Sequence, residues 1–100
     1  MLSASHLLLE YGRTKKRRGD DAFQLARDLR QRVADGEPFS DLARTYSDCP
    51  SASDGGHLGV FLPGDMDRDF EAALRELAIG DVSGPVQTVH GIHLIRREAP

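Results

Sequence analysis

One hundred residues, 39% of them apolar and 29% charged, suffice for one soluble domain around a single modest core. A net charge of -3 and the lack of any run of roughly 18 apolar residues argue against a broadly basic nucleic-acid binder and a membrane span. One cysteine excludes an internal disulfide, and Met1–His6 shows no signal peptide, so a cytoplasmic protein is the expectation.

Residues 3–10, SASHLLLE, predict a strand. Alternation sends Ser5, Leu7 and Leu9 to one face and His6, Leu8 and Glu10 to the other. The apolar run Leu7-Leu8-Leu9 suits a strand covered on both sides, hence a central one. His6 beside that run reads equally as a hydrogen-bonded core histidine or a site residue. From Tyr11 to Gly19 the chain is polar and without period. Five of the 13 Lys/Arg crowd into Arg13–Arg18, and all 16 acids lie elsewhere. An acidic body with one basic loop points to a localised anion site or to a solvated charge run.

Asp20-Asp21 offers an N-cap and first-turn acids for a helix. Ala22, Leu25, Ala26, Leu29 and Val33 recur at helical spacing, and Gly36 supplies a stop. Arg27, Arg30 and Arg32 fall off that stripe and are expected to face water. Phe39, Leu42, Ala43 and Tyr46 set a second, shorter helix. It must end before Pro50, because a residue preceding proline is pushed out of helical geometry. That leaves Cys49 just past a helix end, where its thiol can project into a cleft.

The stretch from Cys49 to Phe70 is a Pro/Ser/Gly-rich loop, a short extended piece Leu58-Gly59-Val60-Phe61, and a turn at Pro63-Gly64-Asp65. It carries a thiol, a histidine and several large soft side chains with few charges, which suits a small apolar pocket with a polar rim. Asp67 or Asp69 caps a third helix bearing Phe70, Ala73, Leu74 and Leu77, and Gly80-Asp81 ends it. Val82-Ser83 is extended and Gly84-Pro85 turns the chain. Residues 86–89 and 92–96 then form a hairpin through His90-Gly91. Ile92 and Leu94 share one face of the last strand, His93 and Ile95 the other. The fold class is α+β, one domain over 1–100, around a small sheet.

The reactive side chains are Cys49, His6, His57, His90 and His93. A metal site is disfavoured, because His90 and His93, three apart on a strand, point to opposite faces and one cysteine matches no zinc spacing. A Cys–His hydrolase needs an oxyanion hole and a substrate cleft that so short a chain hardly accommodates. Gly55-Gly56 with Leu58-Gly59 is a turn signal and no nucleotide-binding motif.

Several blocks occur together and in order: Ser5-His6-Leu7-Leu8; Phe39-x-x-Leu42-Ala43-x-x-Tyr46-Ser47-Asp48-Cys49-Pro50-Ser51; Gly55-Gly56-x-Leu58-Gly59-x-Phe61; Gly64-x-Met66 with Phe70-Glu71; and Gly84-Pro85-Val86-x-Thr88-x-x-Gly91-Ile92-His93. With them the chain resembles, over nearly its whole length, the parvulin family of peptidyl-prolyl cis/trans isomerases. The resemblance implies a four-stranded antiparallel sheet surrounded by about four helices. It implies rotation about X–Pro bonds without a cofactor or metal. Leu58, Met66 and Phe70 would form a proline pocket with Asp67 at its rim. His6 and His93 would pair beneath it, linked with Thr88, while Cys49 would lie beside the rotating bond and His90 near it.

The phosphorylation-dependent, Pin-type members carry basic residues in the loop after the first strand. Lys15, Lys16, Arg17 and Arg18 fall near that register and would grip a phosphate on the residue before proline. Three positions depart from that subgroup: Glu10 stands where it has lysine, Asp67 where it often has glutamine, and His90 where it often has serine. The expected partners are proline-containing peptides or proteins, with neither nucleic acid nor membrane, and the expected state is a monomer. The alternative is a module that binds proline peptides or phosphopeptides with little turnover.

Overall fold

The computed structural model describes residues 1–99. Strand β1 (Leu2–Leu9) is followed by helices α1 (Gly19–Ala34) and α2 (Phe39–Tyr46), and by a 3-10 turn at Pro50–Asp54. Strand β2 (His57–Phe61), helix α3 (Arg68–Arg75) and the hairpin β3 (Val86–Thr88) and β4 (Gly91–Arg97) complete the chain. The sheet is antiparallel in the order β2-β1-β4-β3. β1 is central, as its apolar run requires, and all eight of its residues are buried. Among the described residues the expected helix count is met by three α-helices and the 3-10 turn.

Two apolar clusters flank the sheet, and the strand alternation decides which residue joins which. Leu7 and Leu9 of β1 and Ile92 and Leu94 of β4 pack under α1 and α2, against Ala26, Leu29 and Leu42 among others. Leu2, Ala4 and Ile95 turn the other way, onto Phe70 and Leu74 of α3. His6 pairs with Ile95 and Leu8 with His93, so both histidines share the α3 face. That face is where the site forms.

Two details of the helices differ from the sequence reading. α1 starts at Gly19 with Arg18 at the N-cap position, so Asp20 and Asp21 sit inside the first turn and act on the helix dipole instead of capping it. Arg30 and Arg32 do not simply face water. Arg30 donates to the Val82 carbonyl (3.0 Å), and Arg32 holds Glu37 (2.7 and 3.0 Å) and the Tyr46 hydroxyl (3.1 Å). Both arginines therefore tie α1 to its neighbours.

Two glycines admit the close approaches on which the sheet depends. The Gly56 carbonyl accepts the His6 N–H at 2.8 Å, with Gly56 at φ +82°. A Cβ on Gly56 would fall 2.2 Å from the His6 carbonyl oxygen, and one on Gly91 would fall 2.5 Å from that of Leu9.

Candidate active site

Strand β2 does not run regularly alongside β1. Ala4 pairs with Gly59 and Ser5 with His57, so Leu58 is the extra residue of a β-bulge, next to Gly59 at φ +79°. Strict alternation would have aimed Leu58 with Val60, away from α3. The bulge turns it instead into the α3-side cluster, where Met66 also packs. With Phe70 of α3 they give the cleft an apolar wall.

The cleft has a volume of about 330 Å³ and is lined by Leu58, Met66 and Phe70 together with His6, His93 and Cys49. Phe70 meets both imidazoles edge-on, with centroids 5.8 Å from His6 and 5.4 Å from His93. The two imidazoles are stacked at 5.2 Å, and their Nδ1 atoms lie 3.0 Å apart. His93 Nε2 lies 2.7 Å from the Thr88 hydroxyl oxygen, which also accepts the His90 N–H at 3.1 Å. Burial lowers the pKa of both histidines to about 4; His6 pushes that of His93 the same way, and the neighbouring His90 does so for both. At neutral pH the floor is thus an uncharged chain of hydrogen bonds.

Cys49 is partly buried three residues past α2, at the N-cap position of the 3-10 turn. Its position is fixed by its neighbours. Ser47 Oγ accepts the N–H of Leu8 (2.9 Å), and Asp48 N–H donates to the Leu8 carbonyl (2.7 Å). The chain entering the 3-10 turn is thereby stitched to the central strand. At the opposite rim His90 Nε2 lies 3.3 Å from Asp67 Oδ2, linking the β3–β4 turn to the start of α3.

The basic loop is not a free cationic cluster. Arg17, largely buried, pairs with Asp48, and Lys16 lies 3.1 Å from the other oxygen of the same carboxylate. Lys15 lies 3.5 Å from Glu10. Arg17 is therefore already engaged by the chain's own carboxylate and ties the loop to the end of α2, where the expectation had it free to grip a ligand anion. Burial works to raise the Asp48 pKa, but the Glu10 N–H, Arg17 and Lys16 outweigh it and hold the carboxyl below the usual range. Arg18 is exposed at the start of α1. Among the described residues no three of His, Cys, Asp and Glu are grouped as metal ligands, and no helix is long and apolar enough to cross a membrane.

The model of the rotamase family described as the PPIC-type PPIase domain matches residues 6–99. The chain belongs to this family. The PPIase domain is 46% identical over 94 residues to a chaperone SurA of Chromohalobacter salexigens, covering 93% of this chain and 21% of that protein. It is 38% identical to a peptidyl-prolyl cis-trans isomerase pin1 of Rhizopus delemar, covering 96% of this chain and 71% of that protein. The SurA relative and a foldase PrsA of Geobacillus kaustophilus are much longer proteins, of which the chain spans 21% and 30%. Among solved structures it superposes on isomerase ESS1 from Candida albicans with a TM-score of 0.91 at 33% identity, covering 98% of this chain and 62% of that one. It superposes on TbPIN1 with a TM-score of 0.88 at 40% identity, covering 98% and 96%.

Every residue expected at the proline pocket or beside the rotating bond lies in or against one cleft of this PPIase domain: Leu58, Met66, Asp67, Phe70, His6, Cys49, His90 and His93 line it, and Thr88 stands behind His93. Sequence reasoning missed Leu8, Glu10, Asp48 and Pro50 in the lining. Leu8 and Glu10 fall on the His6 face by strand alternation, and that alternation is the signal for both. Asp48 carried no comparable signal, since its role depends on Arg17 from 31 residues away.

Proposed function

We propose that this domain catalyses cis/trans rotation about X–Pro bonds of peptides and proteins without forming a covalent bond. The observation that carries this reading is the meeting of an apolar cup (Leu58, Met66, Phe70) with Cys49, His6 and His93 in a single cleft. Rotation is slow because amide resonance sets a barrier of roughly 20 kcal/mol. A catalyst lowers it by gripping the proline ring, stripping water from the flanking carbonyl and favouring the twisted amide over the planar one.

The cup supplies the grip. Neutral imidazoles and a weakly polar thiol keep the surroundings of the amide dry, and a twisted, less resonance-stabilised amide is favoured where solvation of the planar dipole is poor. In this reading Cys49 acts beside the bond by its low polarity or a weak S–H contact, with no nucleophilic attack. His6, His93 and Thr88 hold one another in place, while His90 and Asp67 form the rim.

For the residue before proline, the reading is a phosphoserine, phosphothreonine or acidic side chain. A hollow lined by Thr14, Lys15 and Lys16 supports it, because it adjoins the cleft through Glu10 and Asp48. An incoming anion has to draw Lys15 from Glu10 and Lys16 from Asp48, so the preference is modest. The experiment is exchange NMR on peptides that differ only in the residue before proline: phosphoserine, glutamate or alanine. Acceleration of cis/trans exchange in all three, greatest for the anionic ones, is expected. Peaks that shift without faster exchange would instead identify a binding module, and equal rates for the three would remove the anion preference.

A further inference from the structure

A second hollow, of about 430 Å³, lies on the far side of Met66, and Met66 lines both it and the proline cleft. Its other walls include Gly64, Arg68, Glu71 and Arg75. Its charge is not balanced. Glu71 lies 3.4 Å from Arg75 and also accepts the Gly64 N–H at 2.8 Å, so that carboxylate is already engaged. Arg68 is exposed and forms no ion pair among the described residues. A net positive hollow thus adjoins the cleft of a chain whose overall charge is -3.

We propose that this hollow is a binding subsite for an acidic side chain of the substrate on the carboxyl-terminal side of its proline. The inference rests on the isomerase reading, which fixes the direction of the polypeptide. The bond that rotates precedes proline, and Cys49 with Asp48 and Glu10 marks that end of the cleft. Met66, shared by the two hollows, is then the sill over which the chain leaves the cup. A residue one or two places after proline then enters the hollow that Arg68 and Arg75 line. A carboxylate there gains charge-assisted hydrogen bonds from a planar fork of donors. An arginine or lysine at the same place meets repulsion instead.

The test uses peptides with Glu, Ala or Lys two residues after an Ala-Pro pair, measured for kcat/KM by exchange NMR and for affinity by titration. The Glu peptide is expected to exceed the Lys peptide by about fivefold at low salt, with the ratio shrinking as salt rises, as exposed pairs do. In Arg68→Glu the order should invert, and Arg75→Gln should lower the ratio, with the change falling on KM and not on kcat. Equal values for the three peptides, or a Glu preference that survives Arg68→Glu, would overturn the proposal. Titration decides the matter even if no peptide is turned over. The side-chain Nε–H signals of Arg68 and Arg75 must move with the Glu peptide and stay in place with the Ala peptide, and failure to move refutes the subsite without touching the isomerase reading.

Discussion

The Nδ1 atoms of His6 and His93 face each other across 3.0 Å, from diagonal positions on β1 and β4. One ring must donate its proton and the other accept it, so the pair is satisfied only while at least one imidazole is neutral. With burial holding both near a pKa of about 4, each is neutral in the folded state and titrates at 6.5 once unfolded.

The sign of the resulting pH effect follows directly. The unfolded chain binds more protons than the folded one between pH 6.5 and about 4, so stability is complete above that window and is lost on the way down through it. The loss is on the order of 3 kcal/mol for one such imidazole. Urea denaturation at pH 7, 5.5 and 4.5 should show the midpoint falling, with a smaller fall in His93→Asn. A midpoint that stays level over this range would contradict the neutral pair.

Thr88→Val tests the outer link of the same chain. It leaves His93 Nε2 and the His90 N–H without their shared partner at 2.7 and 3.1 Å. The loss of stability should be about 1–2 kcal/mol, the range for an orphaned polar group. If the network positions the floor of the cleft, kcat/KM on an Ala-Pro peptide drops as well, and the tautomer-sensitive ring ¹⁵N shifts of His93 change. Unaltered ring shifts would mean that Thr88 does not set the tautomer.

Gly59→Ala probes the bulge. Nothing lies within 4 Å of a Cβ there, so any cost comes from the φ of +79° and not from a clash. An L-residue in that region costs about 1–2 kcal/mol. Relief by flattening the bulge would rotate Leu58 back towards the Val60 side and open the proline cup. The expected signature is a KM raised severalfold in a folded protein. A KM at the parent value would show that Leu58 is aimed by its packing alone.

These cases also mark what could be read from the chain and what could not. Which face each of His6, Leu8, His93 and Ile95 takes follows from a period of two, a local property, and the structure agrees at every one of those positions. The bulge broke that period at Leu58. Gly59 was its visible trace, but a glycine in a short strand signals a kink without saying which neighbour is turned. Arg17 illustrates the opposite difficulty. Nothing local separates it from Lys16 or Arg18, and only the fold puts Asp48 beneath it. A charge run therefore revealed where cations are, and not which of them were already engaged.

Arg17→Ala should accordingly behave as a stability variant. It removes a largely buried guanidinium from Asp48 and frees the loop from the Tyr46 and Glu10 carbonyls. A loss of about 1.5–3 kcal/mol is expected, as for charge-assisted hydrogen bonds. The ratio of phosphoserine to alanine peptides in kcat/KM should barely change. A collapse of that ratio with stability intact would identify Arg17 as a ligand of the anion.

Glu10→Lys addresses the same specificity from the other side. Glu10 lines the cleft and holds Lys15 at 3.5 Å, so it both repels an incoming anion and occupies a cation that could bind one. Reversal of its charge removes the repulsion, releases Lys15 and adds a third ammonium at the hollow shared with Lys16 and Thr14. Screening at an exposed site limits each of these effects, yet a dianion experiences all of them together, and about a tenfold rise in the phosphoserine-to-alanine ratio is expected at low salt. The glutamate peptide, with half the charge, should gain less. If neither ratio moves, anions do not enter this hollow, and the residue before proline is selected by something other than the loop cations.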